Sequence, residues 1–239
     1  MSPEVIDIWS YLAREPLLWL TVTLLAYLAG DGISRATGRA PLANPVLIAM
    51  LLLAGLLQAT GTPYADYFEG AQFVHFMLGP ATVALAVPLH AALPRLRGLV
   101  IPMLGALVAG SVTAIASALA IARALGVEGA TLLSLAPKST TAPVAIGIAE
   151  SLGGLPTLTA ALVILTGIIG AVTVTPLMNA LRIRDWRARG FAAGVAAHGI
   201  GTARAFQVDA TAGAFSGLGM GLNAMLTALV APWLVAVLT

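Results

Sequence analysis

Apolar residues in this chain fall in long unbroken blocks. The stretches 16–30, 40–65, 70–94, 98–122, 151–181 and 210–239 contain no Asp, Glu, Lys or Arg. A helix crossing the hydrocarbon core needs about 20 apolar residues. Every block but the first has that length, and the first gains it by taking in its small polar flank to Ile33. No period-two alternation marks barrel strands, so backbone groups within lipid must be satisfied inside helices. The pattern predicts helices over 17–36, 44–61, 73–92, 99–125, 130–150, 156–182, 188–210 and 213–238, with loops at 35–43, 60–70, 93–98, 125–129, 153–155 and 182–189.

Three of these segments are interrupted. Leu135-Ala-Pro-Lys-Ser-Thr-Thr-Ala-Pro-Val144 brackets the chain's only lysine, Lys138, between two prolines. Leu78-Gly-Pro-Ala-Thr-Val-Ala-Leu-Ala-Val-Pro88 carries Gly79, Pro80 and Pro88 inside one apolar run, and two glycines stand beside His198, Thr202 and Arg204 in Ala197-His-Gly-Ile-Gly-Thr-Ala-Arg-Ala205. Charge placement bears on the first. Loops rich in arginine face the cytoplasm, which assigns Arg35 and Arg39, Arg95 and Arg97, and Arg182, Arg184, Arg187 and Arg189 to that side. Three full spans between the second and third of these groups would leave them on opposite sides. If 130–150 is a re-entrant pair of half-helices the parity closes; a proline-kinked span with an atypical loop is the alternative. Non-helical backbone at membrane depth is tolerated only where protein or a cavity surrounds it. The interruptions at 78–88 and 197–205, entered from opposite sides, carry the mark of an inverted repeat, as in elevator-type secondary transporters.

Composition narrows the class further. The chain is 59% hydrophobic and 9% charged, against roughly 25% charged residues in a soluble domain. It reads as an all-α, polytopic membrane protein, one domain over 1–239. The N-terminus bears Glu4 and Asp7 before its apolar run, where a cleaved signal would be basic, so the first segment is expected to persist. The absence of cysteine excludes disulfides and thiolate metal sites. The net charge of +2 comes from loop arginines, and nucleic-acid binding has no support. Without Gly-x-Ser-x-Gly, a metal-ligand pattern or a phosphate loop, neither an enzyme nor an ATP-driven pump is expected, and no cofactor is implied.

A cation inside such a block is costly and tends to be functional: about 2.5–3.5 kcal/mol on insertion scales. Broken helices add backbone N–H groups and a partial positive charge at half-helix N-termini. Lys138 and Arg204 would therefore favour an anion, most simply a small carboxylate. Ser139, Thr140, Thr141, Thr82 and Thr202 would give hydrogen bonds, and Gly79, Pro80, Gly199 and Gly201 would let backbone approach it. His198 either carries a coupling proton or is hydrogen-bonded between helices; Arg204 either meets the carboxylate or snorkels to the interface. Asp209 and Glu150 read as caps or interfacial groups. Gly105, Ala109, Gly110, Gly167, Gly170, Ala171, Gly217, Gly219 and Gly221 read as helix-packing positions.

Several blocks together resemble the LrgB/CidB family: Tyr64-Ala-Asp-Tyr-Phe-Glu-Gly-Ala-Gln-Phe73, the run from Leu78 to Leu89, Pro-Lys-Ser-Thr-Thr at Pro137, Gly153-Gly-Leu-Pro-Thr-Leu-Thr-Ala160, His198-Gly-Ile-Gly-Thr-Ala-Arg204, Gly213-Ala-Phe-Ser and Ala231-Pro-Trp. The resemblance covers about residues 15–238. It implies an inner-membrane protein, often made with a smaller LrgA/CidA-like membrane partner, and two functions. One is a holin- or antiholin-like regulator of murein hydrolase export and autolysis; the other is a carrier of small monocarboxylates such as pyruvate, glycolate or glycerate, as in related plastid transporters. The anionic site favours the carrier. This chain departs from the family pattern at Thr140, Ala142 and His90. A homodimer is expected by analogy with other broken-helix transporters.

Overall fold

The computed structural model describes residues 15–77 and 98–239 and, between them, positions 80, 83, 84 and 90. Gly79 and Thr82 lie outside the described residues. Among those described, all regular structure is helical. Packing divides the chain into two compact units, Met1–Ala86 and Val87–Thr239.

In the first unit, α1 (Pro16–Ala36), α2 (Pro45–Thr60) and α3 (Tyr64–Phe76) pack through small residues and one aromatic anchor. Pro16 and Pro45 open α1 and α2, where a missing N–H costs nothing. The Asn44 side chain caps α2 by accepting from the N–H groups of Val46 and Leu47. Gly30 brings α1 against α2, because a Cβ there would stand 2.6 Å from the Pro45 carbonyl oxygen. Trp19 is buried edge-on to Tyr67 of α3, ring centroids 5.7 Å apart. The expected outer loop over 60–70 is shorter than its polar residues suggest. Gly61 ends α2 in the left-handed region (φ 64°) and α3 starts at Tyr64, with Asp66 in its first turn where the helix dipole favours an acid.

The second unit is built from α4 (Val100–Ala124), α5 (Gly129–Leu135), α6 (Ala142–Leu152), α7 (Pro156–Ala180), α8 (Trp186–Val208) and α9 (Ala210–Leu238). With α1, the helices α4, α7 and α9 are long and apolar enough to cross a membrane. They turn large side chains outward: Ile101 is 85% exposed, Leu229 77% and Trp233 65%. Such faces would aggregate in water and suit hydrocarbon. The chain is a multi-pass helical membrane protein.

Neither α5, with 7 residues, nor α6, with 11, can span. Together they make a hairpin that leaves Ser134 and returns to it. The Ser134 hydroxyl accepts from the Leu155 N–H at 2.7 Å, and its carbonyl accepts from the Thr159 hydroxyl at 3.1 Å. The tip, Ala136 to Thr141, holds the Pro-Lys-Ser-Thr-Thr sequence. Pro143 stands in the first turn of α6, where no N–H is needed, and Thr141 just before that helix is extended (ψ 145°). The re-entrant expectation for 130–150 matches this geometry.

A second fold-back occurs inside α8. Its backbone leaves the helical region at Ala197 and at His198 (φ 42°, ψ −134°). The arms then close on one another: a Cβ on Gly201 would lie 2.8 Å from the Ala193 carbonyl oxygen. In a continuous helix those residues would stand about 12 Å apart. The expected helix over 188–210 is thus a hairpin. A single residue, Asp209, joins it to α9, capping that helix through its Oδ1 to the N–H groups of Thr211 and Ala212.

Candidate functional site

Residues of the two hairpins, α4 and α9 line an open cavity of about 660 Å3. Lys138 and Ser139 enter it from the tip of the first hairpin, and Ala192, Val195 and Ala196 from the arm of α8 that leads to the second tip. Met103, Ala106, Gly110 and Ala114 of α4 and Phe215 of α9 complete apolar walls, and Asp185 and Arg187 border the cavity where α8 begins. From Arg187 to Ala196 the arm of α8 extends about 13 Å at 1.5 Å per residue. A small organic molecule fits within such dimensions.

Lys138 is half-buried, and its Nζ lies 3.4 Å from the Ser139 hydroxyl, a long hydrogen bond. Among the described residues it makes no ion pair. Thr140 faces inward and donates to the Pro137 carbonyl at 3.1 Å, which stiffens the tip. Thr141 is the N-cap residue of α6 with no side-chain cap bond, so the positive end of that half-helix belongs to the tip.

A buried amide that the sequence reading missed holds the tip in place. Asn223 of α9 is 1% exposed. Its Nδ2 donates to the Ser139 carbonyl at 3.2 Å, while its Oδ1 accepts from Ser111 of α4 at 2.6 Å and from Thr227 at 3.4 Å. The available signal was a lone amide within the charge-free block 210–239. Asn223→Leu removes the partner of both the Ser139 carbonyl and the Ser111 hydroxyl. The expected loss is about 1–3 kcal/mol for each buried group left unsatisfied. Hydrogen exchange at 136–141 should rise by at least tenfold, and unchanged protection there would refute the clamp.

The second expected cluster lies apart from Lys138. His198 is buried, its Nε2 2.9 Å from the Val163 carbonyl oxygen. The ring rests on Gly167, where a Cβ would stand 2.6 Å from its Cε1, and Gly170 receives Ala197. The glycines of α7 thus pack against the break, as expected of them. The hydrogen-bonded alternative describes His198. Thr202 bonds back to the His198 carbonyl at 2.8 Å and to Ser216 of α9 at 2.9 Å. Gly201 serves the hairpin's closure, and Gly199 makes only an ordinary contact with Met220. Arg204 is buried beside a separate small pocket bordered by Trp186, Arg189 and Ala212. Lys138 and Arg204 are therefore not gathered into one pocket, because the fold-back carries Arg204 toward the base of α8. Pro80 is helical and exposed in the first unit.

At the base of α8, Asp185 accepts from the backbone N–H of Arg187 at 2.9 Å and pairs with its guanidinium through both oxygens, the shortest contact being 2.6 Å. That guanidinium holds the Asp185 carboxyl below the usual carboxylate range. Arg189 stacks on Trp186 (4.6 Å to the ring centroid) and donates to Asn179 at 2.6 Å. The arginine cluster is thus a structured helix entry.

Residues 23–237 match the model of the LrgB-like family. The chain is 36% identical over 217 residues to the uncharacterized protein YwbG of Bacillus subtilis, covering 91% of this chain and 96% of that one. It is 29% identical over 221 residues to the holin-like protein CidB of Staphylococcus epidermidis (92% and 96% covered), and 28% identical over 217 residues to the antiholin-like protein LrgB of Bacillus cereus (91% and 94%). No solved structure matches the chain. The chain belongs to the LrgB-like family.

Proposed function

We propose that this protein carries a small monocarboxylate, a 2-oxo or 2-hydroxy acid of the size of pyruvate, glycolate or glycerate, with the movement coupled to a cation. One observation carries the reading: a half-buried lysine with no ion-pair partner among the described residues borders an apolar cavity of about 660 Å3. A charge so placed is expensive unless an anion meets it. The Lys138 ammonium is a point charge with rotatable donors, suited to a carboxylate that must bind and leave. The Ser139 hydroxyl stands beside it for the 2-oxo or 2-hydroxy oxygen, and the apolar walls accept a short carbon chain.

A second reading starts from relatives named holin-like and antiholin-like: a regulator of membrane permeability. Proteoliposomes holding the purified chain separate the two. A carrier takes up radiolabelled pyruvate, glycolate or glycerate with saturation and responds to an imposed proton or sodium gradient. A permeability regulator releases an entrapped neutral dye in proportion to protein density, without saturation. Dye release without saturable uptake would overturn the carrier reading.

A further inference from the structure

The cavity has a charge balance as well as a size. Its charged lining residues among those described are Lys138, Asp185 and Arg187. Asp185 and Arg187 pair with each other, so two cations and one carboxylate leave one net positive charge. Resting on the carrier reading above, we propose that Asp185 is a specificity-determining residue: by occupying Arg187 it leaves Lys138 as the one cation offered, and so restricts the cavity to monoanions.

Three observations carry this. The pair is built: Asp185 meets both Nε and Nη2 of Arg187, at 3.0 to 3.1 Å and 2.6 Å, and accepts its backbone N–H as the cap of α8. This two-point geometry engages the fork that would otherwise receive a carboxylate bidentately. The pair also stands at the base of the same arm that carries Phe191, Val195 and Ala196 along the cavity wall. A dianion brings a second carboxylate into a cavity that Asp185 borders, and like charges repel there. Finally, the side chains are 43% and 45% exposed, so solvent screens them and sets a moderate size for the effect.

The variant Asp185→Asn isolates the charge, because asparagine caps a helix as well as aspartate does. It frees the guanidinium and leaves two net positive charges. The test compares uptake of glycolate with uptake of tartronate, which is glycolate with a second carboxylate, by proteoliposomes holding the full chain. The wild type should favour glycolate. Asp185→Asn should raise the tartronate-to-glycolate ratio roughly fivefold, the size expected of one screened unit charge at a partly solvated site. The double variant Asp185→Asn/Arg187→Gln restores one net charge and should restore the wild-type ratio. A single variant that transports glycolate with an unchanged ratio overturns the specificity role and leaves the carrier reading standing. A ratio that stays raised in the double variant also overturns it, since the cause would then be shape. No uptake of either acid by the wild type overturns both.

Discussion

Lys138→Gln will abolish saturable carboxylate uptake, by at least about a hundredfold, while the protein remains folded in the membrane. The lysine's contribution to the fold is small: one long hydrogen bond to Ser139, at 3.4 Å, and no ion pair among the described residues. The tip is held by other groups, Asn223 on the Ser139 carbonyl and Thr140 on that of Pro137. Glutamine keeps the polar end and nearly the length of the side chain, so these bonds persist. What it removes is the charge that offsets desolvation of the substrate's carboxylate, and a hydrogen bond to a charged group is worth about 1.5–3 kcal/mol even before the field of the apolar cavity is counted. Lys138→Arg separates charge from shape, since a guanidinium keeps the charge on a bulkier, planar head. Partial uptake with a raised KM is expected. Uptake rates come from proteoliposomes and folded protein from the thermal transition of the same preparation. Full uptake by Lys138→Gln would remove Lys138 from the binding site, and a collapsed thermal transition would make it a structural residue.

The first hairpin was legible because two independent features met on it. Proline at 137 and 143 argues against a straight helix, and arginine parity against a full span. The second was legible only as an interruption. Glycines at 199 and 201 suggested backbone open to a ligand, yet the left-handed residue is His198, and Gly201 is needed where the arms touch. A non-glycine residue at φ 42° persists only when its surroundings fix it, and the Val163 carbonyl and the flat face of Gly167 do so. Those partners lie 35 and 31 positions away in sequence, beyond the reach of any local pattern. The same distance hid Asn223, whose partners are on α4 and the tip. Arg204 was paired with Lys138 because both are cations in interrupted segments, and the fold-back that puts them on different pockets has no counterpart in local charge.

The close seam between α8 and α9 yields the largest structural effect. Gly194→Val will leave little folded protein. A Cβ at Gly194 would run into the Ser216 carbonyl and stand 2.9 Å from the Met220 N, and at Gly190 it would meet the Ala212 carbonyl. These obstacles are backbone, so no rotamer change relieves them, and the two helices must separate. Overpacking a core ordinarily costs about 1–3 kcal/mol; forcing backbones apart along a seam exceeds that range, because Phe191 and Phe215 lose their packing with it. In lipid there is little hydrophobic force to offset the loss, since helix association there depends on close van der Waals contact between small residues. Gly221→Ala is the matched control: a Cβ there has nothing within 4 Å, and the helix should tolerate or gain from it. Thermal unfolding of the two variants in the same detergent decides the matter. A transition for Gly194→Val within a few degrees of that for Gly221→Ala would mean that the α8 hairpin is not seated on α9 through these glycines.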